Sequence, residues 1–319
     1  MAECHVLLGG NGFIGRHVAV LLARSGRDVV LASRAPPAWP LPANTSGRIS
    51  WQRFEFASAD WEALVAGSAV VHHYAWTSIP ASANANPIGD LNVNVASTLS
   101  LLEELRRQPG KRLIFASSGG TVYGKLKQIP VPETHPFQPI TSYGAGKATV
   151  ELYLSLYRSM HGLDCRVARI ANPFGAGQDP ARGQGAVTTF LHQALAHQPI
   201  SVWGDGEVVR DYIHIADVAA ALIKLADIAD PGEDDAFNIG SNAGISLNGI
   251  VAEIERQLDR PVTVCREPAR AFDLPVSVLD ISRARRVLGW TPRLSFSQGL
   301  RRTITDLSAH AAVSDLSLR

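Results

Sequence analysis

The sequence predicts an α/β fold, a doubly wound parallel sheet with a smaller mixed α/β lobe towards the C-terminus. Three observations carry the prediction. Apolar, β-rich runs alternate with helix-period segments through the first half of the chain. A cluster of four glycines (Gly9, Gly10, Gly12, Gly15) falls between the first run and the first helical segment. The alternation stops after Asn172, where "PFGAGQDPARGQGAV" has neither period. Such alternation calls for parallel strands with helices on both faces of the sheet.

Taken in order, "HVLLGG" (5–10) reads as a buried strand and "RHVAVLLARSG" (16–26) as a helix closed by Gly26. "DVVLAS" (28–33) and "AVVHHYA" (69–75) read as strands. "STLSLLEELRRQ" (97–108) is helical and stopped by Pro109-Gly110, and "RLIFASS" (112–118) is the next strand. A long helix covers 143–162 and a strand 164–172. A loop as long as the stretch after Asn172 is usually functional in a compact domain. The expected division is a dinucleotide-binding domain over 1–172 with a returning segment at about 211–240. Residues 173–210 and 241–319 form the second lobe, placed over the carboxyl edge of the sheet, where such folds bind ligands.

Composition narrows the classes. The 319 residues are 46% hydrophobic and 18% charged with a net charge of +1, which gives no electrostatic footprint for nucleic acid. Cys4, Cys165 and Cys265 are odd in number and far apart, and read as reduced thiols. No 18-residue apolar run and no signal-peptide pattern occurs, so a cytoplasmic, non-membrane protein is expected. No metal is expected: His72-His73 lacks a companion ligand pattern and reads as the end of a buried strand.

The glycines satisfy both GxxGxxG (9, 12, 15) and GxGxxG (10, 12, 15) in the strand–turn–helix context that a dinucleotide-binding turn requires. The second strand ends in Ser33-Arg34, where an NAD site usually has an acid for the ribose 2′-hydroxyl. Serine followed by arginine also suits a 2′-phosphate, so NAD and NADP both stay open. Tyr143 and Lys147 are four apart at the start of the long helix and share a face. A nearby ammonium is what a tyrosine needs to act as a base, because its ordinary pKa is about 10.

"GGNGFIG", "SSGGTVYG", "SYGAGK", "RIANPFG", "WGDGEVVRDYIHIADVA", "FNIGS" and "DISRARRVLGWTP" occur in the order seen in extended short-chain dehydrogenases. The chain resembles the NAD-dependent epimerase/dehydratase family over roughly residues 4 to 305, most of all its UDP-glucose 4-epimerase branch. The resemblance implies a Rossmann fold, NAD, a UDP-linked nucleotide sugar and a homodimer built on paired helices near 97–108 and 143–160. It implies Tyr143 as the base on the sugar 4-hydroxyl, with Lys147 lowering its pKa. Gly9, Gly12, Phe13, Ile14, Gly15, Ser33, Arg34, Ala75, Asn94, Ser117, Tyr143, Lys147 and Ile170 would surround the cofactor. Asn172, Arg210, Arg270 and Asp273 would hold the substrate diphosphate and ribose. The family's usual catalytic Ser or Thr falls at Gly119, so Ser118 or Thr121 has to supply that hydroxyl, and Ser118 is the one expected to hold the sugar's 4-oxygen as a substrate-binding residue. Asp217 and Asp280 are expected to cap the helices that follow them. Beside epimerisation stand two alternatives, an NADP-dependent 4-keto-sugar reductase and a non-catalytic dinucleotide sensor.

Overall fold

The structure, a computed structural model, describes residues 3–183, 185–232, 234–269 and 274–316. The first strand β1 (Cys4–Leu8) leads into α1 (Phe13–Arg24), followed by β2 (Asp28–Ser33) and β3 (Ile49–Arg53). Next come α2 (Trp61–Val65), β4 (Val70–His73), α3 (Pro80–Ala85) and α4 (Pro87–Asp90). One π-helical turn (Leu91–Ala96) then joins α4 to α5 (Ser97–Arg107), which precedes β5 (Arg112–Ser118), α6 (Ser142–His161) and β6 (Asp164–Ile170). The remainder holds β7 (Asn172–Phe174), α7 (Ala186–Leu195), β8 (Ile200–Trp203), β9 (Val209–His214), α8 (Ile215–Asp227) and β10 (Ala236–Ile239). Last are β11 (Gly244–Ser246), α9 (Leu247–Leu258), β12 (Val264–Glu267), β13 (Val276–Ser277), α10 (Ser282–Leu288) and α11 (Phe296–Leu316).

Seven strands form one parallel sheet in the order β10-β6-β5-β4-β1-β2-β3. Except at the edge strand β3, its strands are buried on both faces, which is why they read as apolar runs. On one face α1 packs against α8 through Val18, Ala19, Leu22, Ala219, Leu222 and Ala226, where the alanines allow close approach. On the other face α5 and α6 bury Leu101, Leu102, Leu105, Val150 and Leu154. A third core around Phe174, Phe190, Tyr212 and Ile250 holds the smaller lobe, in which β9 pairs with β7, β11 and β13.

The sheet has one member that the sequence reading passed over and one that it placed only within the returning segment at about 211–240. Strand β3 ("ISWQR") is a short, half-exposed edge, so its pattern carries little apolar signal. Strand β10 returns after α8 to pair with β6, so the chain re-enters the sheet far along the sequence. The segment after Asn172 is more regular than expected. Asn172–Phe174 is the strand β7, and Asp179 opens a 3₁₀ turn by accepting from Ala181 N–H. Asp217 is not a cap. It lies in the first turn of α8 and accepts from Arg293 and Leu294 N–H at 3.0 and 3.1 Å, while His214 caps that helix. Asp280 does accept from Ser282 N–H, at the start of α10. His72 and His73 end β4 fully buried, bonded to Tyr74 and Thr98. Among the described residues no helix is long and apolar enough to cross a membrane.

Candidate active site

The order of the sheet reverses between β1 and β4, and the chain leaves both strands at adjoining points. Gly9 follows β1 with φ +79°, and a Cβ there would lie 2.9 Å from Ala75 N. The two strand ends therefore touch only because residue 9 has no side chain. Gly12 N–H donates to Gly9 O at 2.9 Å, and a Cβ on Gly15 would meet Gly9 O at 2.6 Å and Gly10 Cα at 2.7 Å. Phe13 and Ile14 open α1, whose first turn contains no acidic residue, so its free amides face the carboxyl edge as an anion site.

At the end of β2 the Ser33 hydroxyl accepts from Asn11 Nδ2 (2.8 Å) and Trp51 Nε1 (3.0 Å) and donates to Ala35 O (2.8 Å). Its hydrogen-bonding capacity is thus already used. Asn11 Nδ2 also donates to Ala35 O at 2.6 Å, which leaves Asn11 Oδ1 as a buried acceptor with no partner. Arg34 is exposed beside it. The side-chain-free turn, the helix amides and the spare acceptor fit a dinucleotide. Gly15→Ala is expected to lower bound dinucleotide at least about tenfold, because backbone rather than a flexible side chain must yield. Quantifying the dinucleotide released on denaturation checks this.

Helix α6 starts on a Thr141 cap, whose Oγ1 accepts from Gly144 N–H at 3.1 Å, and this places Tyr143 and Lys147 on its first turns. Lys147 is 3% exposed and donates from Nζ to Ala116 O at 2.7 Å. Burial pulls its ammonium down to about 7, against the opposing pull of Glu151 and Asp90. Burial, and after it the Asp90 carboxylate, holds the Tyr143 phenol well above its ordinary value. Tyr143 can therefore act as a base only with positive charge beside it, and the Lys147 ammonium lies 5.8 Å from its ring centre.

The strand end opposite separates its hydroxyls by the pleat. Ser117 is buried and donates to Glu151, a very short bond on the α6 side. Ser118 follows it in alternation. A Cβ at Gly119 would meet Leu279 Cδ1 at 2.5 Å and Arg169 O at 3.1 Å, so the space of the expected hydroxyl side chain is filled. Thr121 belongs to the turn whose carbonyl abuts Gly144 of α6. Ile170 packs into the core and accepts from Gly119 N–H through its carbonyl at 2.9 Å.

Across the cleft, Asn172 lies 4.0 Å from the position of a Gly120 Cβ, its Nδ2 tied to Asp211 O at 2.9 Å. Arg210 donates to Val209 O and Leu274 O, beside an opening of about 360 Å³ lined by Trp203, Asp205, Glu207, Val208, Ala269 and Pro275. Arg270 and Asp273 lie outside the described residues. Asn94 is fully buried and works through the protein: its Oδ1 accepts from Thr77 N–H at 2.9 Å and its Nδ2 donates to Asp90 at 2.8 Å. Asn94 thereby fixes the segment that follows Ala75.

Sequence reasoning missed Trp76, Asp90 and the Glu151–Arg169 ion pair. Only Glu151, four residues after Lys147 on the same helix face, left a spacing that could have revealed it.

Comparison with known proteins places this geometry among relatives. Residues 5–240 match the model of the NAD dependent epimerase/dehydratase family. A UDP-glucose 4-epimerase of Mycolicibacterium smegmatis is 32% identical over 307 residues, covering 94% of this chain and 96% of the relative. An Escherichia coli dTDP-4-dehydro-6-deoxyglucose reductase is 30% identical over 314 residues, covering 95% and 96%. The crystal structure of the Thermotoga maritima UDP-glucose 4-epimerase with UDP-glucose has 30% identity and a TM-score of 0.89, covering 97% of this chain and all (100%) of that one. The Methanobrevibacter ruminantium UDP-N-acetylglucosamine 4-epimerase in complex with UDP-N-acetylmuramic acid has 26% identity and a TM-score of 0.88, with coverage of 97% and 100%.

Proposed function

Because the chain belongs to the NAD dependent epimerase/dehydratase family, we propose that it is a nucleotide-sugar 4-epimerase acting on a UDP-hexose or UDP-N-acetylhexosamine. The observation that carries the reading is Tyr143 beside a buried Lys147 at the carboxyl edge of the sheet, next to the glycine turn. The turn of Gly9, Gly12 and Gly15 and the first amides of α1 would hold NAD, which would supply the hydride acceptor and donor for C4. Tyr143 takes the proton from the 4-hydroxyl and returns it after the 4-keto sugar has turned. Bringing even an ordinary phenol to about 7 needs roughly 4 kcal/mol, and burial and Asp90 add to that for Tyr143, so the Lys147 charge and the positive ring of a bound cofactor would both be needed. Asn172, Arg210, Arg270 and Asp273 hold the diphosphate and ribose, where arginine offers a rigid donor fork.

Thr121 is our choice for the hydroxyl on the 4-oxygen, because its turn rests against the first turn of α6. Thr121→Val should lower kcat about 10–100-fold with the cofactor content kept, and Ser118→Ala should cost less than tenfold. The reverse ranking transfers the role to Ser118.

The test of function is incubation with UDP-glucose or UDP-N-acetylglucosamine without added cofactor, alongside identification of the dinucleotide released on denaturation. The 4-epimer together with bound NAD supports the reading. Turnover of a 4-keto sugar only when NADPH is supplied overturns it in favour of the reductase, which the exposed Arg34 would suit.

The protein is also proposed to be a cytoplasmic homodimer. Ile88, Leu91, Leu152, Leu156 and Met160 are exposed on neighbouring helices, and 152, 156 and 160 form a stripe along α6. Light scattering of wild type and Leu156→Glu tests the dimer; a monomeric wild type sinks it.

A further inference from the structure

Lys147 carries an ammonium into a buried site with one hydrogen bond, to Ala116 O. Two aromatic rings also lie close to it. Its Nζ lies 3.8 Å from the ring centre of Trp76 and 4.6 Å from that of Phe115. Trp76 in turn meets the Tyr143 ring edge-on, with centres 6.0 Å apart and planes at 71°. The indole is seated on α6 by the absence of a side chain at Gly146, where a Cβ would come within 3.2 Å of Trp76 Cζ2. Trp76 Nε1 is buried without a hydrogen-bond partner, so packing and its ring face hold the indole in place.

We propose that Trp76 is a positioning residue whose ring face keeps the Lys147 ammonium charged beside Tyr143, and so sets the pH range in which the pair works. The inference rests on the epimerase reading for its catalytic half only. The groups that face Lys147 are Tyr143 and Glu151 from α6, Asp90 from α4 and His73 from β4. Asp90 and Glu151 favour the charged lysine, while His73 is held neutral, pulled by burial to about 3. Trp76 is the nearer of two aromatic contacts, the other being Phe115, that can be removed without changing the charge of the site. Burial already brings the ammonium to about 7, so a modest loss of support is felt at neutral pH. A desolvated cation–π contact is worth enough to matter there.

The chain has five lysines (Lys111, Lys125, Lys127, Lys147, Lys224), few enough to follow individually by NMR of protein labelled at lysine Cε, with Lys147→Arg assigning the signal. In the dinucleotide-bound protein, Trp76→Leu should lower the Lys147 midpoint by about one pH unit, which corresponds to about 1.4 kcal/mol. Trp76→Phe, which keeps a ring face, should stay within a few tenths of a unit. Because the lysine then loses its proton at lower pH, the alkaline limb of the kcat profile with UDP-glucose should move down by the same amount in the leucine variant. An unmoved midpoint in folded Trp76→Leu, or equal shifts in both variants, overturns the proposal. A midpoint that moves without the limb overturns its catalytic half. Failure of the wild type to turn over any UDP-sugar refutes the epimerase reading, and the lysine titration still decides the role of Trp76.

Discussion

Tyr143→Phe is expected to reduce epimerisation by at least about a thousandfold while leaving the amount of bound dinucleotide near that of the wild type. The phenylalanine keeps the ring that packs edge-on against Trp76 and leaves the Thr141 cap intact, so α6 and Lys147 stay in place. What is lost is the proton acceptor. Initial rates of 4-epimer formation, measured beside the dinucleotide released on denaturation, separate the two effects. Activity within tenfold of wild type would refute Tyr143 as the base. Loss of the dinucleotide as well would mean that the hydroxyl serves binding rather than proton transfer.

The features that were legible in the sequence are those in which cause and effect lie close along the chain. The glycine turn is one: Gly9, Gly12 and Gly15 constrain one another and α1 directly. The Tyr143/Lys147 pair is another, since four residues bring two side chains onto one helix face. The absence of a hydroxyl at Gly119 was also readable, but its physical reason was not. The space is filled by Leu279, which arrives from the other end of the chain. Trp76 was silent for the same reason. Its partners come from β5 and α6, and a tryptophan just past a strand end looks like any other core aromatic. Strand β3 lacked the apolar run that revealed the other strands, because an edge strand has less to bury.

The Glu151–Arg169 pair gives the second large effect, and it separates stability from catalysis. Arg169, on β6, donates from Nε and Nη2 to Glu151 at 2.8 Å, and from Nη1 to Tyr123 OH and Glu133 O. Both partners are buried, at 8% and 3% side-chain exposure. Arg169→Met strands a carboxylate whose pKa burial already raises, and is expected to cost about 3–5 kcal/mol in urea unfolding. Replacing both, as Glu151→Met with Arg169→Met, should recover most of that loss, since a buried pair exchanged for apolar volume is often neutral. A double variant as unstable as the single one would show that the shape of the network, not the orphaned charge, was at stake. Activity should not recover with stability. Glu151 also accepts from Ser117 and helps to hold Lys147 charged, so the double variant gives up an anion that raises the lysine's pKa. Its lysine deprotonates at lower pH, and the alkaline limb of kcat moves down in a protein that is otherwise folded and dinucleotide-bound. A double variant with wild-type stability and a wild-type pH profile would confine the pair to a structural role.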